Sequence, residues 1–145
     1  MKHSALLFLI LALVTTAITA AEFDARAAFG SVPARALEPA LKRAAKEKKR
    51  VFLTFHDPKG DYNDQGLAIK YFTDLEETKK LIKENYIVVL LPRDHKDLAK
   101  YTGGMNTERP CYIILNSNGT KVKADSVYAN PEEGLRIIKE LIAMP

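Results

Sequence analysis

The chain has very little cysteine, because Cys111 is the only one among its 145 residues. A single thiol cannot close an internal disulfide, and it cannot complete a C-x-x-C redox pair. Disulfide exchange needs one thiolate to attack and a second thiol to release the mixed disulfide. We therefore do not expect dithiol–disulfide oxidoreductase activity from this chain by itself.

Long blocks of one charge, internal repeats and low-complexity segments are also absent from the sequence. The densest basic stretch, residues 42–50, contains no aromatic residue, so it predicts a solvated helix end and not a nucleic-acid surface. His56 and His95 have no third ligand at zinc-like spacing. We expect no nucleic-acid partner, no metal and no cofactor.

The longest apolar run lies near the amino terminus, at residues 5–14, between Lys2 and a series of small residues that ends at Ala21. This run is too short for a transmembrane helix and is typical of a secretory signal peptide, processed after Ala20 or Ala21. The sequence thus predicts export without a stable membrane anchor. The compartment is the periplasm or the cell exterior, ahead of the endoplasmic reticulum lumen, because the C terminus carries no lumenal retention signal.

Processing leaves about 124 residues, which is enough for one domain that folds without disulfides. Losing Lys2 takes the 22 basic residues to 21 against 18 acidic ones, a net charge of about +3. The predicted organisation is a signal peptide at residues 1–21, a lead-in or edge strand at 22–35, and one domain at 36–145.

Hydrophobic patterning predicts alternating helices and strands in that domain. The apolar strands at 51–55 and 86–91 are typical of a parallel pair joined by a helical crossover. The Asn116–Gly119 turn predicts a hairpin between residues 111–115 and 121–127. Helices are predicted from Leu37 onwards, at 67–72, from a capping box at Thr73 to Glu84, at 94–101, and after an Asn130 cap.

One stretch carries a family resemblance: LAKYTGGMNTERPCYIILNSNGTKV, residues 98–122. It resembles thioredoxin-like proteins, in which a Leu-Ala-x-x-Tyr helix end leads through a glycine turn to a proline, an apolar strand and an Asn/Asp-Gly hairpin turn. The likeness covers about residues 36–143 and is similar to secreted members with a run like FTDLEETKKLIKENYIVVLL. It implies an α/β, thioredoxin-like three-layer fold with a central mixed β-sheet flanked by helices.

The resemblance also implies a cis peptide bond before Pro110, opposite the active-site loop, with the backbone of Arg109 free to pair with an extended peptide. Proline suits that place because a non-prolyl cis bond costs about 3 kcal/mol and a prolyl one less than about 1. The family's dithiol would fall at Gly60 and Asn63, and neither is a cysteine.

We therefore expect an exported, redox-inactive thioredoxin-fold domain that acts as a protein-binding, peptide-binding or chaperone-like module. Strand-like pairing beside the proline would supply affinity, and side chains of the former active-site loop would select the partner. The predicted binding residues are His56, Asp57, Lys59, Asp61, Tyr62, Arg109 and Pro110.

Two other kinds of site compete with this hypothesis. Cys111 is the catalytic candidate of a single-thiol oxidoreductase or redox sensor, although its place at the start of an apolar strand favours a buried, inert thiol. Residues 61–66 match the first six positions of a calcium loop, but Phe72 stands where a bidentate Glu is needed, which favours an ordinary turn. Asn118 lies in an N-glycosylation pattern that hairpin turn chemistry explains equally well.

Overall fold

The structure, a computed structural model, describes residues 24–56 and 63–145, with the backbone alone for residues 63–67. The predicted signal peptide therefore lies outside the described residues. The elements along the described chain are α1 (Ala25–Phe29), α2 (Leu37–Glu47), β1 (Arg50–His56), α3 (Asn63–Phe72), α4 (Glu76–Asn85), β2 (Tyr86–Pro92), α5 (Lys96–Thr102), β3 (Cys111–Leu115), β4 (Lys121–Ser126) and α6 (Pro131–Ala143).

The four strands form one mixed sheet in the order β2-β1-β3-β4. β1 pairs in parallel with β2 and antiparallel with β3, and β3 and β4 form the predicted hairpin. The residues of β1 are apolar on both faces because this strand is central and both of its faces are covered by helices. The parallel pair and the hairpin are confirmed.

The sheet separates two apolar layers, which completes the predicted three-layer α/β fold. On one face, helices α1, α3, α4 and α6 cover a layer that we call the aromatic face, built on Phe29, Phe52, Phe72, Tyr86 and Tyr112. On the other, helices α2 and α5 cover a layer that we call the thiol face, which contains Cys111 among mainly aliphatic side chains.

Helix α6 matches its sequence signals closely. The Asn130 side-chain oxygen accepts from the Glu133 amide at 2.9 Å, and Pro131 occupies the first turn. Ile138 and Leu141 are buried against the sheet. Gly134 lies so close to α3 that a Cβ atom there would be 1.9 Å from the carbonyl oxygen of Phe72.

The carboxyl end of the chain is tied to the start of the central strand by Arg50. Its guanidinium donates to the carbonyl oxygens of Leu141 at 3.1 Å, Met144 at 2.9 Å and Pro145 at 2.6 Å. Hydrogen bonds from a charged donor are stronger than neutral ones. They hold the last turn of α6 against the amino-terminal end of β1.

The lead-in is more structured than its sequence indicates. Asp24 caps the short helix α1 by accepting from the Ala27 amide at 3.0 Å, and Gly30 ends it in a left-handed conformation. The expected edge strand is reduced to a single parallel bridge between Ala34 and Val89 of β2.

The capping box predicted at Thr73 is wrong. The Thr73 hydroxyl is buried and donates at 3.0 Å to the carbonyl oxygen of Ile69, so it closes α3 instead of opening the next helix. Helix α4 begins at Glu76 without a side-chain cap. A threonine can bond forward or backward along the chain, and here the preceding helix supplies the nearer partner.

Helix α3 begins at Asn63, four residues before the predicted start at Leu67. The loop after β1 is correspondingly shorter than expected. Because residues 63–66 have helical backbone, they do not present the loop geometry that the calcium alternative requires.

Candidate functional site

The candidate site is the end of the sheet where β1 and β2 finish and β3 begins. His56 is the last residue of β1 and pairs with Pro92 of β2. Its carbonyl oxygen accepts from the Arg93 amide at 2.7 Å. Continuing the antiparallel register past Thr54 and Tyr112 sets His56 beside Pro110. The fold therefore brings together two predicted binding residues that lie far apart in sequence.

Arg93 is a residue of this site that sequence reasoning missed. It directly follows β2, and its Nε atom is buried without a hydrogen-bond partner in the described part of the chain. A buried donor left unpaired is costly, so such a group is a natural point for a bound carbonyl or carboxylate. The available signal was its place after β2, because parallel strands bring their carboxyl ends to one edge of the sheet.

Cys111 is completely buried in the thiol face. Its carbonyl oxygen accepts from the Thr54 hydroxyl at 2.9 Å, which fixes the start of β3 against the central strand. Burial raises the pKa of the Cys111 thiol from 9.0 to about 11, and the Arg93 cation opposes this only in part. Reactivity requires an accessible thiolate, so this environment favours the inert interpretation.

The predicted cis bond before Pro110 is wrong, because no peptide bond in the described residues is cis. The carbonyl oxygen of Pro110 accepts from the Val127 amide at 2.8 Å, which extends the β3–β4 ladder by one bond. A prolyl bond is intrinsically more stable in the trans form, and the strand pairing at Pro110 is formed with that isomer.

The turn before Pro110 presents its side chains to solvent. Arg109 is exposed. The Asn106 side chain accepts from the Glu108 amide at 3.0 Å, and the Met105 amide donates to the Thr102 carbonyl at 2.8 Å. These local bonds organise the segment between α5 and β3 and leave the Arg109 side chain at the surface.

The remaining predicted binding residues, Asp57, Lys59, Asp61 and Tyr62, lie outside the described residues. The structure therefore places His56, Arg109 and Pro110 of the predicted set at this end of the sheet.

His95 has a structural role. Its Nδ1 atom accepts from the Asp97 amide at 3.2 Å, so the imidazole caps the start of α5. Within residues 24–56 and 63–145, no three potential ligands of the His, Cys, Asp or Glu type come close enough to hold a metal ion.

The hairpin turn accounts for Asn118. Its side-chain oxygen accepts from the Thr120 amide at 2.9 Å, and Gly119 supplies the positive φ of 83° that the turn needs. The side chain is at the surface, and its glycosylation stays a prediction.

Three comparisons place this fold among known proteins. No family model matches the chain. No curated protein matches it. Among solved structures it is similar to a thioredoxin from Thermus thermophilus, with 17% identity, a TM-score of 0.59, and coverage of 77% of this chain and 88% of that one.

Two further structures are similar. The C-terminal domain of DsbD from Neisseria meningitidis in the oxidised form is 14% identical, with a TM-score of 0.54 and coverage of 75% of this chain and 98% of that one. A disulphide isomerase from Xylella fastidiosa Temecula1 is 18% identical, with a TM-score of 0.51 and coverage of 73% and 85%. The chain has the thioredoxin-like fold.

In the part of the chain that the structure describes, no helix has the length and apolar character needed to cross a bilayer.

Proposed function

We propose that this protein is an exported, non-catalytic thioredoxin-fold domain that binds a protein or peptide. The binding surface consists of His56, residues 57–62, Arg109 and Pro110. The observation that carries this proposal is a thioredoxin-like sheet whose one thiol is buried within the thiol face and has no second thiol in the sequence. Thiol exchange needs two such groups, whereas binding needs none.

The geometry of the strand ends supports a binding role. Arg109 is exposed next to a strand, so an extended segment of a partner can pair with its backbone while side chains of the neighbouring loop select the sequence. The buried Nε of Arg93 offers a further donor at the same end of the sheet. This mode depends on the exposed position of Arg109 and not on the isomer of the bond to Pro110.

Charge-reversal variants of the processed domain test the proposed surface. Proteins retained by the immobilised wild type are compared with those retained by Arg109→Glu, Asp57→Lys and the control Lys46→Glu, which lies on the exposed side of α2. We expect at least one partner to be lost from the two surface variants and kept by the control. If every partner stays bound to all variants, the proposed surface is wrong.

Two thiol measurements test the non-catalytic part. We expect no reduction of insulin disulfides by the processed monomer. We expect a thiol reagent to modify Cys111 only after unfolding, because the side chain is buried and its pKa is raised to about 11. Fast modification of the native protein, or insulin turnover at the rate of an ordinary oxidoreductase, would favour the single-thiol alternative.

A further inference from the structure

A second surface of the molecule has the features of a peptide-binding groove. A groove of about 550 Å³ lies beside the amino-terminal half of β2, at one edge of the sheet. Its walls come from helices α2 and α4 and from the segment that follows α1. It is at the opposite end of β2 from Pro92 and Arg93, about 20 Å away at 3.3 Å per residue, so it is separate from the surface of the proposed function.

The groove is strongly basic. Its charged lining residues are Arg43, Lys49, Lys80, Lys83 and one acid, Glu84. Glu84 approaches Lys80 only to 4.0 Å, and both side chains are largely exposed, so this pair is weak. No ion pair of Lys83 occurs within the described residues. The groove therefore presents an excess of positive charge to an incoming ligand.

Two of the cations are held in place by contacts at the rim. Glu47 pairs with Arg43 at 2.6 Å and with Lys49 at 3.4 Å. The Lys49 ammonium also donates to the carbonyl oxygen of Lys83 at 2.9 Å, which joins the end of α4 to the chain after α2. The charges on the two walls are thus fixed relative to each other.

The floor of the groove is an open strand edge. Ala34 bonds to the outer side of β2 through the Val88 carbonyl at 2.8 Å and the Leu90 amide at 3.0 Å. Because alternate residues of a strand turn their polar groups to the same side, the Tyr86 carbonyl and the Val88 amide also point outwards, into the groove. In the described chain no strand bridge covers this part of the edge.

An apolar side chain stands beside this open edge. Val32 lines the groove and is 70% exposed, which is unusual for a valine next to a sheet. A strand added here would place alternate side chains towards Val32 and towards the lysines.

We propose that the groove binds an acidic, extended segment of a partner protein, which pairs with the outer edge of β2 at Ile87. In this arrangement one residue of the segment accepts from the Val88 amide and donates to the Tyr86 carbonyl, as Ala34 does one bridge further along. Aspartate or glutamate side chains of the segment pair with Lys80, Lys83 and Arg43. Backbone pairing supplies affinity, and charge supplies the choice of partner.

The probe that tests this proposal is a short capped peptide of alternating Glu and Thr, with the matching Gln and Thr peptide as the neutral control. Binding is followed at constant ionic strength by fluorescence anisotropy and by amide chemical shifts of the labelled protein. We expect saturable binding of the acidic peptide alone. We expect the Val88 and Ile87 amide signals to move and the Val88 amide to become protected from hydrogen exchange.

A pair of charge-matched variants locates the site. Lys80→Glu with Lys83→Glu reverses the groove, and Lys46→Glu with Lys70→Glu makes the same change of net charge on exposed positions outside it. We expect the groove variant to weaken binding at least about tenfold and the control variant less than about twofold, because charges in direct contact dominate over net charge at physiological salt. Thermal unfolding of each variant confirms that it is folded.

Three results would overturn the proposal. Equal weakening by both variants would show attraction by net charge only. A heparin fragment that competes fully while the Val88 amide stays unmoved would show a polyanion site without strand pairing. Concentration-dependent shifts of the same amides without peptide would show that the edge pairs with a second copy of this chain.

Discussion

The two faces of the sheet are built on different principles. On the aromatic face the Phe52 ring lies 5.8 Å from Phe29, 6.0 Å from Tyr86 and 5.7 Å from Tyr112, so one side chain holds three others. The thiol face consists mainly of leucine, isoleucine, valine and alanine around Cys111. Ring pairs have preferred geometries, whereas aliphatic layers tolerate exchange of side chains of similar volume.

This difference separates two roles within one core. The aromatic face depends on particular contacts, including the close approach of Gly134 to Phe72. The thiol face isolates the one sulfur that could react. We therefore expect substitutions on the aromatic face to act mainly on stability, and those at Cys111 to act mainly on chemistry at alkaline pH.

The strongest test of this comparison is a pair of neighbouring truncations in β1, since Phe52 points to the aromatic face and Leu53 to the thiol face. We expect Phe52→Ala to lower the free energy of unfolding by about 4 kcal/mol and Leu53→Ala by about 3 kcal/mol. Urea unfolding followed by circular dichroism measures both. An equal or larger loss for Leu53→Ala would contradict the greater dependence on the aromatic face.

Gly134 gives the next largest effect. A methyl group there would clash with the Phe72 carbonyl, so helices α3 and α6 must separate, and we expect Gly134→Ala to cost about 3 kcal/mol. Gly103 is the matched control, because nothing lies within 4 Å of its added Cβ and its φ is −46°. We expect Gly103→Ala to change stability by less than about 0.5 kcal/mol. Similar melting temperatures for the two variants would show that α6 can shift freely.

The alkaline limb of stability distinguishes the faces by pH. The pKa of Cys111 is raised from 9.0 to about 11 in the folded protein, so the unfolded chain loses this proton first. Stability from the thiol is therefore complete below pH 9 and is lost as the pH rises towards 11, by up to about 1.4 kcal/mol per pH unit. The pKa of Tyr86 is raised from 10.0 to about 12 by burial, which moves the loss from the aromatic face to a later window.

Comparing the wild type with Cys111→Ala across pH 8 to 11 isolates the thiol contribution. We expect the wild type to lose stability more steeply than Cys111→Ala between about pH 9 and 11. Parallel curves would mean that the thiol reaches water in the folded protein.

The smallest expected effect concerns the cap of α6, which covers the aromatic face. Asn130→Ala removes the acceptor of the Glu133 amide and should cost about 1 kcal/mol. Asn130→Asp keeps an oxygen acceptor at the helix amino terminus, so we expect it to retain the stability of the wild type. Equal losses in the two variants would show that the position acts through packing and not through the hydrogen bond.

Much of the fold could be predicted because several local signals agreed at the same places. The apolar strands, the Asn-Gly turn and the Asn130-Pro131 helix start each have one favoured structure, and each formed as expected. Helix α2 was also predicted, although its buried face includes Ala40 while Ala45 is exposed. A small shift of the helix about its axis exchanges such alanines without changing the pattern of larger residues.

The errors arose where two local partners compete. Thr73 could bond to the helix before it or after it, and Pro110 could adopt either isomer, and tertiary contacts decided both. Arg93 was missed because a single cation after a strand has no motif of its own. Its importance depends on burial and on the nearness of Cys111, which only the assembled sheet supplies.

The clamp formed by Arg50 has a practical consequence for labelling. Arg50 begins β1 and His56 ends it, so the carbonyls that Arg50 holds lie about 20 Å from the candidate binding surface at 3.3 Å per residue. A fluorescent reporter joined after Pro145 would emerge at the far pole of the sheet, away from His56 and Arg109. Such a fusion could report partner capture by energy transfer without obstructing the contact that it measures.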